Sequence, residues 1–243
     1  MNEAHERKFW SSYGKIYPYI ERSTPYQELL RDIGGMIKPK KGEQWLDVGC
    51  GPGTVMQVII KRSNGILAKL VGIDFDETML THAHEKMHKE QSVELLRVDL
   101  SERTPFPSET FDGIVANLVL TYVQRFEGTE GEGALKGVLS EMYRILKPGG
   151  RFVWTTPVPN VNFWKVFWAS RNDILRKDQI ENLFYGPAIM RYALEIAHKG
   201  KRGDYSFFEA EKHVEILKKT GFQSVAAQTS FAKQALILSC RKQ

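Results

Sequence analysis

Between residues 44 and 156, short apolar runs alternate with segments whose apolar residues recur every three or four positions. The first pattern predicts strands and the second helices. Strands are expected at Gln44–Val48, Lys69–Asp74, Val93–Val98, Phe111–Asn117 and Arg151–Thr156, and helices at Gly53–Arg62, Glu77–Lys89 and Gly133–Leu146. Phe111–Asn117 is dense in apolar residues, as a parallel strand covered on both faces should be. The helix at 133–146 keeps Leu135, Val138, Leu139, Met142 and Ile145 to one side, and Lys147-Pro148-Gly149-Gly150 stops it. Alternation of this kind predicts an α/β, Rossmann-like doubly wound sheet.

The flanks read differently. Residues 5–20 carry Phe9, Trp10, Tyr13, Tyr17 and Ile20, an aromatic stripe at helical spacing. A second helix is expected from Ser23-Thr24-Pro25, with Thr24 as N-cap and Pro25 at its first position, ending before Pro39. Residues 1–41 are thus an N-terminal helical segment. The alternation breaks at Pro157-Val158-Pro159. Residues 160–206 then read as a helical lid insertion rich in aromatics: Phe163, Trp164, Phe167, Trp168, Phe184, Tyr185, Tyr192 and Tyr205. The lid sets Lys165, Arg171, Arg176, Lys177, Arg191, Lys199, Lys201 and Arg202 against Asp173, Asp178, Glu181, Glu195 and Asp204. An aromatic, mildly basic lid suits an apolar or anionic acceptor, or an anionic membrane surface. A helix at 208–220 and two strands, Gln223–Gln228 and Gln234–Cys240, close the chain as a hairpin. The whole reads as one domain, 1–243.

Composition narrows the class only a little. The 243 residues suffice for one substantial core, and 42% apolar with 26% charged is ordinary for a globular chain. No apolar run approaches a membrane span, and the first residues lack the apolar region of a secretory signal. Two cysteines, Cys50 and Cys240, imply no disulfide framework, so a cytoplasmic location is expected. No Cys/His cluster has zinc-site spacing, and no metal is expected. The net charge of +5 permits an anionic partner, but the charges are scattered. No nucleic-acid partner is expected, and peripheral membrane contact is compatible with the chain.

The chemistry gathers at the ends of the predicted strands. Gln44-Trp45-Leu46-Asp47-Val48 runs into Gly49-Cys50-Gly51-Pro52-Gly53 and then a helix. Glycines at alternating positions let the backbone turn tightly and approach a ligand, and the helix that follows points its free N–H groups there. The spacing is not the G-x-G-x-x-G of dinucleotide folds. Leu70-Val71-Gly72-Ile73-Asp74 ends in a carboxylate able to accept both hydroxyls of a ribose. Asp74 and Asp76 both precede a helix, and one cap cannot account for both. Phe75 and Met79 follow. Val98-Asp99-Leu100 offers a carboxylate for an exocyclic amine and a backbone N–H for a ring nitrogen. Asn117 closes the fourth strand, and Tyr122 stands just beyond it.

With Ile145-Leu146-Lys147-Pro148-Gly149-Gly150-Arg151-Phe152, these residues resemble the class I S-adenosylmethionine (SAM) dependent methyltransferases across 42–156. The resemblance implies a seven-stranded sheet with its last strand antiparallel. It also implies SAM over the Asp47, Gly49, Cys50 and Gly51 turn, Asp74 on the ribose, Asp99 with Leu100 at the adenine, and Asn117 near the reactive end. Tyr13 and Tyr17 match an aromatic segment that covers the cofactor in such enzymes. Asp112, Lys147–Gly150 and Gly221-Phe222 are similar to the branch acting on small molecules, quinones or lipid headgroups. The expected reaction is in-line methyl transfer to a small-molecule acceptor. The alternatives are a tRNA or rRNA methyltransferase and a non-catalytic SAM-binding regulator. No general base is assigned. His198 and His213 titrate in the right range but are expected to be exposed, and Tyr122, Tyr185 and Tyr205 are further candidates.

Overall fold

In a computed structural model that describes residues 3–171 and 181–243, seven strands form one sheet. They are β1 (Gln44–Val48), β2 (Lys69–Asp74), β3 (Val93–Arg97), β4 (Phe111–Asn117), β7 (Leu146–Pro157), β8 (Gln223–Ser230) and β9 (Ala235–Arg241). Their order is β3-β2-β1-β4-β7-β9-β8. The first five run parallel, and β9 is antiparallel to both β7 and β8. The expected sheet with an antiparallel last strand is the one found. The strand order reverses between β1 and β4, and a crevice opens at such a switch point.

Strand alternation builds both cores. From β1, Trp45 faces one side and Leu46 and Val48 the other; from β4, Val115 opposes Ile114 and Ala116. The Trp45 side is covered by α3 (Thr24–Met36), α4 (Thr54–Ser63) and α5 (Glu77–Met87), through Leu29, Ile33, Met56, Ile59 and Leu80. The Leu46 side is covered by α6 (Glu132–Ile145) and α9 (Ala210–Thr220), through Leu135, Leu139, Met142, Ile216 and Leu217.

The flanks depart from expectation in ways the backbone explains. The aromatic stripe at 5–20 is two helices, α1 (Glu3–Gly14) and α2 (Tyr17–Glu21), because Pro18 has no N–H to continue the first. Ser23, not Thr24, stands at the cap position of α3, and its hydroxyl donates to the Ile20 carbonyl. β7 starts at Leu146, with a register shift against β4 that absorbs Lys147–Gly150. A small hairpin, β5 (Arg125–Phe126) and β6 (Thr129–Glu130), was not expected; Glu127 and Gly128 form its tip with φ of 44° and 80°. The lid contains α7 (Phe163–Ala169) and α8 (Glu181–Arg202). Of the lid residues named above, Asp173, Arg176, Lys177 and Asp178, with the side chains of Glu181 and Phe184, lie outside the described residues.

Candidate functional site

The turn after β1 is fixed by backbone bonds. The Cys50 N–H donates to the Ile73 carbonyl at 2.9 Å, and the Gly53 N–H to the Cys50 carbonyl at 2.9 Å. Gly49 has φ of 64°, and a Cβ there would stand 2.5 Å from a Val119 methyl. Gly51 has φ of 51°, and nothing lies within 4 Å of its Cβ position, so its backbone is open to the space above. Glycine is needed at both for different reasons: crowding at the first, close approach at the second.

Asp74 and Asp76 divide their duties. The Asp76 carboxylate caps α5, accepting the N–H groups of Thr78 and Met79 at 2.9 and 3.1 Å, and accepts the Ser11 hydroxyl. Asp74 instead accepts the N–H of Gly51 at 2.8 Å and of Asp76 at 3.0 Å, tying β2 to the glycine turn. Burial raises its carboxyl above the usual range, partly offset by those donors. Asp47, at the end of β1, is 1% exposed, and neither carboxylate oxygen has a hydrogen-bond partner. Burial, and then the nearby Asp74, push its carboxyl well up.

A cavity of about 680 Å³ lies over this turn. Tyr17, Gly49, Gly51, Asp74, Phe75, Met79, Asp99, Leu100, Asn117 and Tyr122 all line it. Asp47 and Cys50, expected there too, do not. Asp47 shares the Trp45 side of β1 and lies beneath the turn, while the Cys50 side chain packs into the core with its thiol pushed up by burial. Asn117 reaches the cavity with its amide committed: its Nδ2 donates to the Tyr26 hydroxyl at 2.9 Å, and its Oδ1 accepts from Thr155 at 2.7 Å. The Tyr17 hydroxyl is likewise paired with Tyr26.

The rest of the wall comes from α1, the β5–β6 hairpin and the end of the lid. Glu6, Arg7, Trp10, Tyr13 and Gly14 lie along one side, and Gln124, Arg125, Glu130, Gly203 and Asp204 along another. Of these, Trp10 and Tyr13, in the aromatic stripe, and the lid charge Asp204 carried a signal in the sequence. Three side-chain ties hold α1 down: Arg7 to Asp99, Ser11 to Asp76, and Glu6 to Lys199 and Tyr205. Trp10 packs on Tyr122 at 4.7 Å, and Tyr122 on Tyr205 at 5.0 Å. The Ser206 N–H donates to the Thr121 carbonyl at 3.0 Å and pins the end of the lid beside this aromatic group.

The candidate bases fare poorly. His213 is buried, not exposed: its Nε2 accepts the Phe208 N–H at 3.3 Å, Trp154 packs on its ring, and burial pushes its pKa down to about 4. His198, Tyr185 and Tyr205 do not line the cavity. Tyr122 does, but desolvation holds its hydroxyl well above its ordinary pKa.

The sheet order, the open glycine turn and the cavity at the strand ends together define a doubly wound α/β fold with a crevice at its switch point, the place where such folds hold ligands. Residues 46–154 match a family model described as a methyltransferase domain. A demethylmenaquinone methyltransferase from Listeria welshimeri is 29% identical over 174 residues, covering 68% of this chain and 69% of that protein. In structure, the chain is similar to a chain of the solved "Complex between the Haloferax volcanii Trm112 methyltransferase activator and the putative methyltransferase" (TM-score 0.65, 14% identity, 96% and 95% covered). It is also similar to Haemonchus contortus phosphoethanolamine N-methyltransferase 2 in complex with SAM (TM-score 0.59, 17% identity, 88% and 51% covered). Residues 46–154 thus resemble a methyltransferase domain, on a fold shared with solved methyltransferases.

Proposed function

We propose that this chain is a SAM-dependent methyltransferase that alkylates a small, ring-containing acceptor of quinol type, with SAM held over the glycine turn. The observation that carries the reading is the continuous cavity that starts at Gly49 and Gly51 and ends among Trp10, Tyr13 and Tyr122. Its volume falls in the ~300–1,000 Å³ range of small-molecule sites. The open backbone at Gly51 fits the cofactor. Asp74 would take the ribose, Asp99 and the Leu100 N–H the adenine, and Phe75 and Met79 would pack on it. The name of the Listeria relative supports the quinol class.

SAM supplies an electrophilic methyl group when bound. The protein has to align the acceptor, exclude water and, for a hydroxylated ring, take up a proton. Trp10 and Tyr122 present flat apolar surface for a ring. Two polar groups at this end lack hydrogen bonds: Gln124 Nε2, a donor, and Asp204 Oδ2, an acceptor. Arg202 lies 3.3 Å from that oxygen without donating to it in hydrogen-bond geometry, and donates instead to Asp204 Oδ1 at 3.5 Å. Asp204 is therefore our choice for holding the acceptor's hydroxyl proton, and the commitment of Asn117 to Tyr26 and Thr155 makes that residue a scaffold.

Calorimetric titration with SAM and S-adenosylhomocysteine, followed by methyl incorporation into a soluble naphthoquinol, tests the reading. Micromolar binding of both and a methylated naphthoquinol are expected. A folded chain that binds neither overturns the cofactor assignment. Binding of both, with methylation of simple amines and not of the naphthoquinol, overturns the acceptor class alone.

A further inference from the structure

The lid helix α7 is apolar around much of its circumference, and only the Phe163–Val166 side packs. Phe163 and Val166 turn inward onto the core beneath α3 and β1, and Phe163 also reaches the aromatic cluster around Phe9. On the outer side Trp164, Phe167 and Trp168 recur at helical spacing and stay 54%, 38% and 62% exposed. They stack edge-on with one another, at 5.8 and 5.9 Å. Tyr185, on the helix packed against α7, is exposed as well.

Charge is distributed with the same bias. Lys165 and Arg171 flank the aromatic stripe, both exposed, and residues 157–171 contain no carboxylate. The Arg171 guanidinium donates to the Trp168 carbonyl at 3.0 Å, which holds a cation at the end of the stripe. Large exposed apolar patches mark interaction sites. Tryptophan prefers the headgroup level of a bilayer, and adjacent cations favour anionic lipid.

We propose that the outer face of α7 docks this chain on an anionic lipid surface, Trp164 and Trp168 entering the headgroup layer and Lys165 and Arg171 facing lipid phosphates. None of the described helices is long and apolar enough to cross a membrane, so the contact is peripheral. Phe163 packs in the cluster that contains Tyr13 and Tyr122 of the cavity wall. Docking therefore holds the aromatic end of the cavity one helix away from the lipid. The proposal does not depend on the acceptor class, because its readout is binding and not turnover.

Co-sedimentation of the full chain with vesicles tests it, comparing about three parts phosphatidylcholine to one part phosphatidylglycerol with phosphatidylcholine alone. Binding to the anionic vesicles is expected, about tenfold weaker to the neutral ones and weaker again in high salt. The double variant W164A/W168A is expected to lose about tenfold or more, with its far-UV circular dichroism unchanged. Lipid brominated in the acyl chain should quench tryptophan fluorescence of the unaltered chain, since Trp45 and Trp154 are fully buried. Absence of quenching overturns the proposal even if the double variant misfolds. So does equal binding to neutral vesicles, or full binding by a folded double variant. A concentration-dependent dimer in ultracentrifugation, abolished by the same substitutions, would assign the face to a second copy and overturn the lipid assignment.

Discussion

The floor and the roof of the cavity are made by different means. The floor is backbone: the β1 turn, glycines with positive φ, and N–H groups tied to Asp74 and the Ile73 carbonyl. Its geometry is set by steric limits on φ and ψ and by sheet register, so small changes break it. The roof is side chain: α1 laid across the opening, held by Arg7–Asp99, Ser11–Asp76 and the Glu6–Lys199–Tyr205 group. Each tie joins residues far apart in sequence and can be broken singly. A rigid floor with a detachable roof suits a site that must recognise one cofactor, exchange it, and adapt to an acceptor.

The largest expected effect is on the floor. In Gly49→Ala the new Cβ would meet Val119 at 2.5 Å, in a backbone conformation that side chains rarely adopt. Strain and crowding together should cost about 3 kcal/mol in thermal or denaturant unfolding. Binding of S-adenosylhomocysteine should weaken by about a hundredfold or more. Retention of both values would show that the floor is more plastic than its dihedrals imply. Next comes Asp74→Ala. A charge-assisted pair of hydrogen bonds to a ribose is worth enough that affinity should fall about thirtyfold, while the loss of the acceptor for the Gly51 and Asp76 N–H groups should cost about 1–3 kcal/mol of stability. Unchanged affinity in calorimetry would remove Asp74 from the ribose.

Glu6→Gln should touch the roof and spare the floor. Glu6 is 2.9 Å from Lys199, which is buried and, among the described residues, has only the more distant Glu195, at 3.5 Å, as a second carboxylate. Leaving that ammonium short of a partner should cost about 1–3 kcal/mol of stability. The acceptor KM should rise while the S-adenosylhomocysteine affinity holds. A parallel fall in both would mean that α1 is part of the cofactor site and that the two regions are one.

How much was legible follows the same division. β1, β2 and β4 end where the sequence pattern places them, because a buried parallel strand must be apolar and each apolar run stops at a local signal: Gly49 after β1, Asp74 at the end of β2 and Asn117 at the end of β4. Asp74 and Asp76 could be told apart, since an N-cap is a local device. Asp47 and Cys50 could not be placed, because nothing local says which face the last residues of a strand present. The roof was mostly illegible. Its aromatics were visible as composition, but the Arg7–Asp99 and Glu6–Lys199 ties span 92 and 193 positions. The β5–β6 hairpin is too short for a periodic pattern, and Glu127-Gly128 is a weak turn signal by itself. His213 was misread because a lone histidine on a basic helix looks solvated until Trp154 and Phe208 are seen around it.

The smallest expected effect is the sharpest on the comparison. Arg7 and Asp99 are 50% and 39% exposed, so solvent screens their pairing, and Arg7→Ala should alter stability by about 0.5 kcal/mol or less. Yet Asp99 is the residue assigned to the adenine amine, and Arg7 occupies it. A cofactor has to share or displace that guanidinium. Freeing Asp99 should leave S-adenosylhomocysteine affinity unchanged or make it up to about threefold tighter, most visibly at low salt, where the competing pair is strongest. If affinity instead falls more than about threefold, Arg7 contributes to holding the ligand, and the roof is then a binding surface of the cofactor and not a cover laid over it.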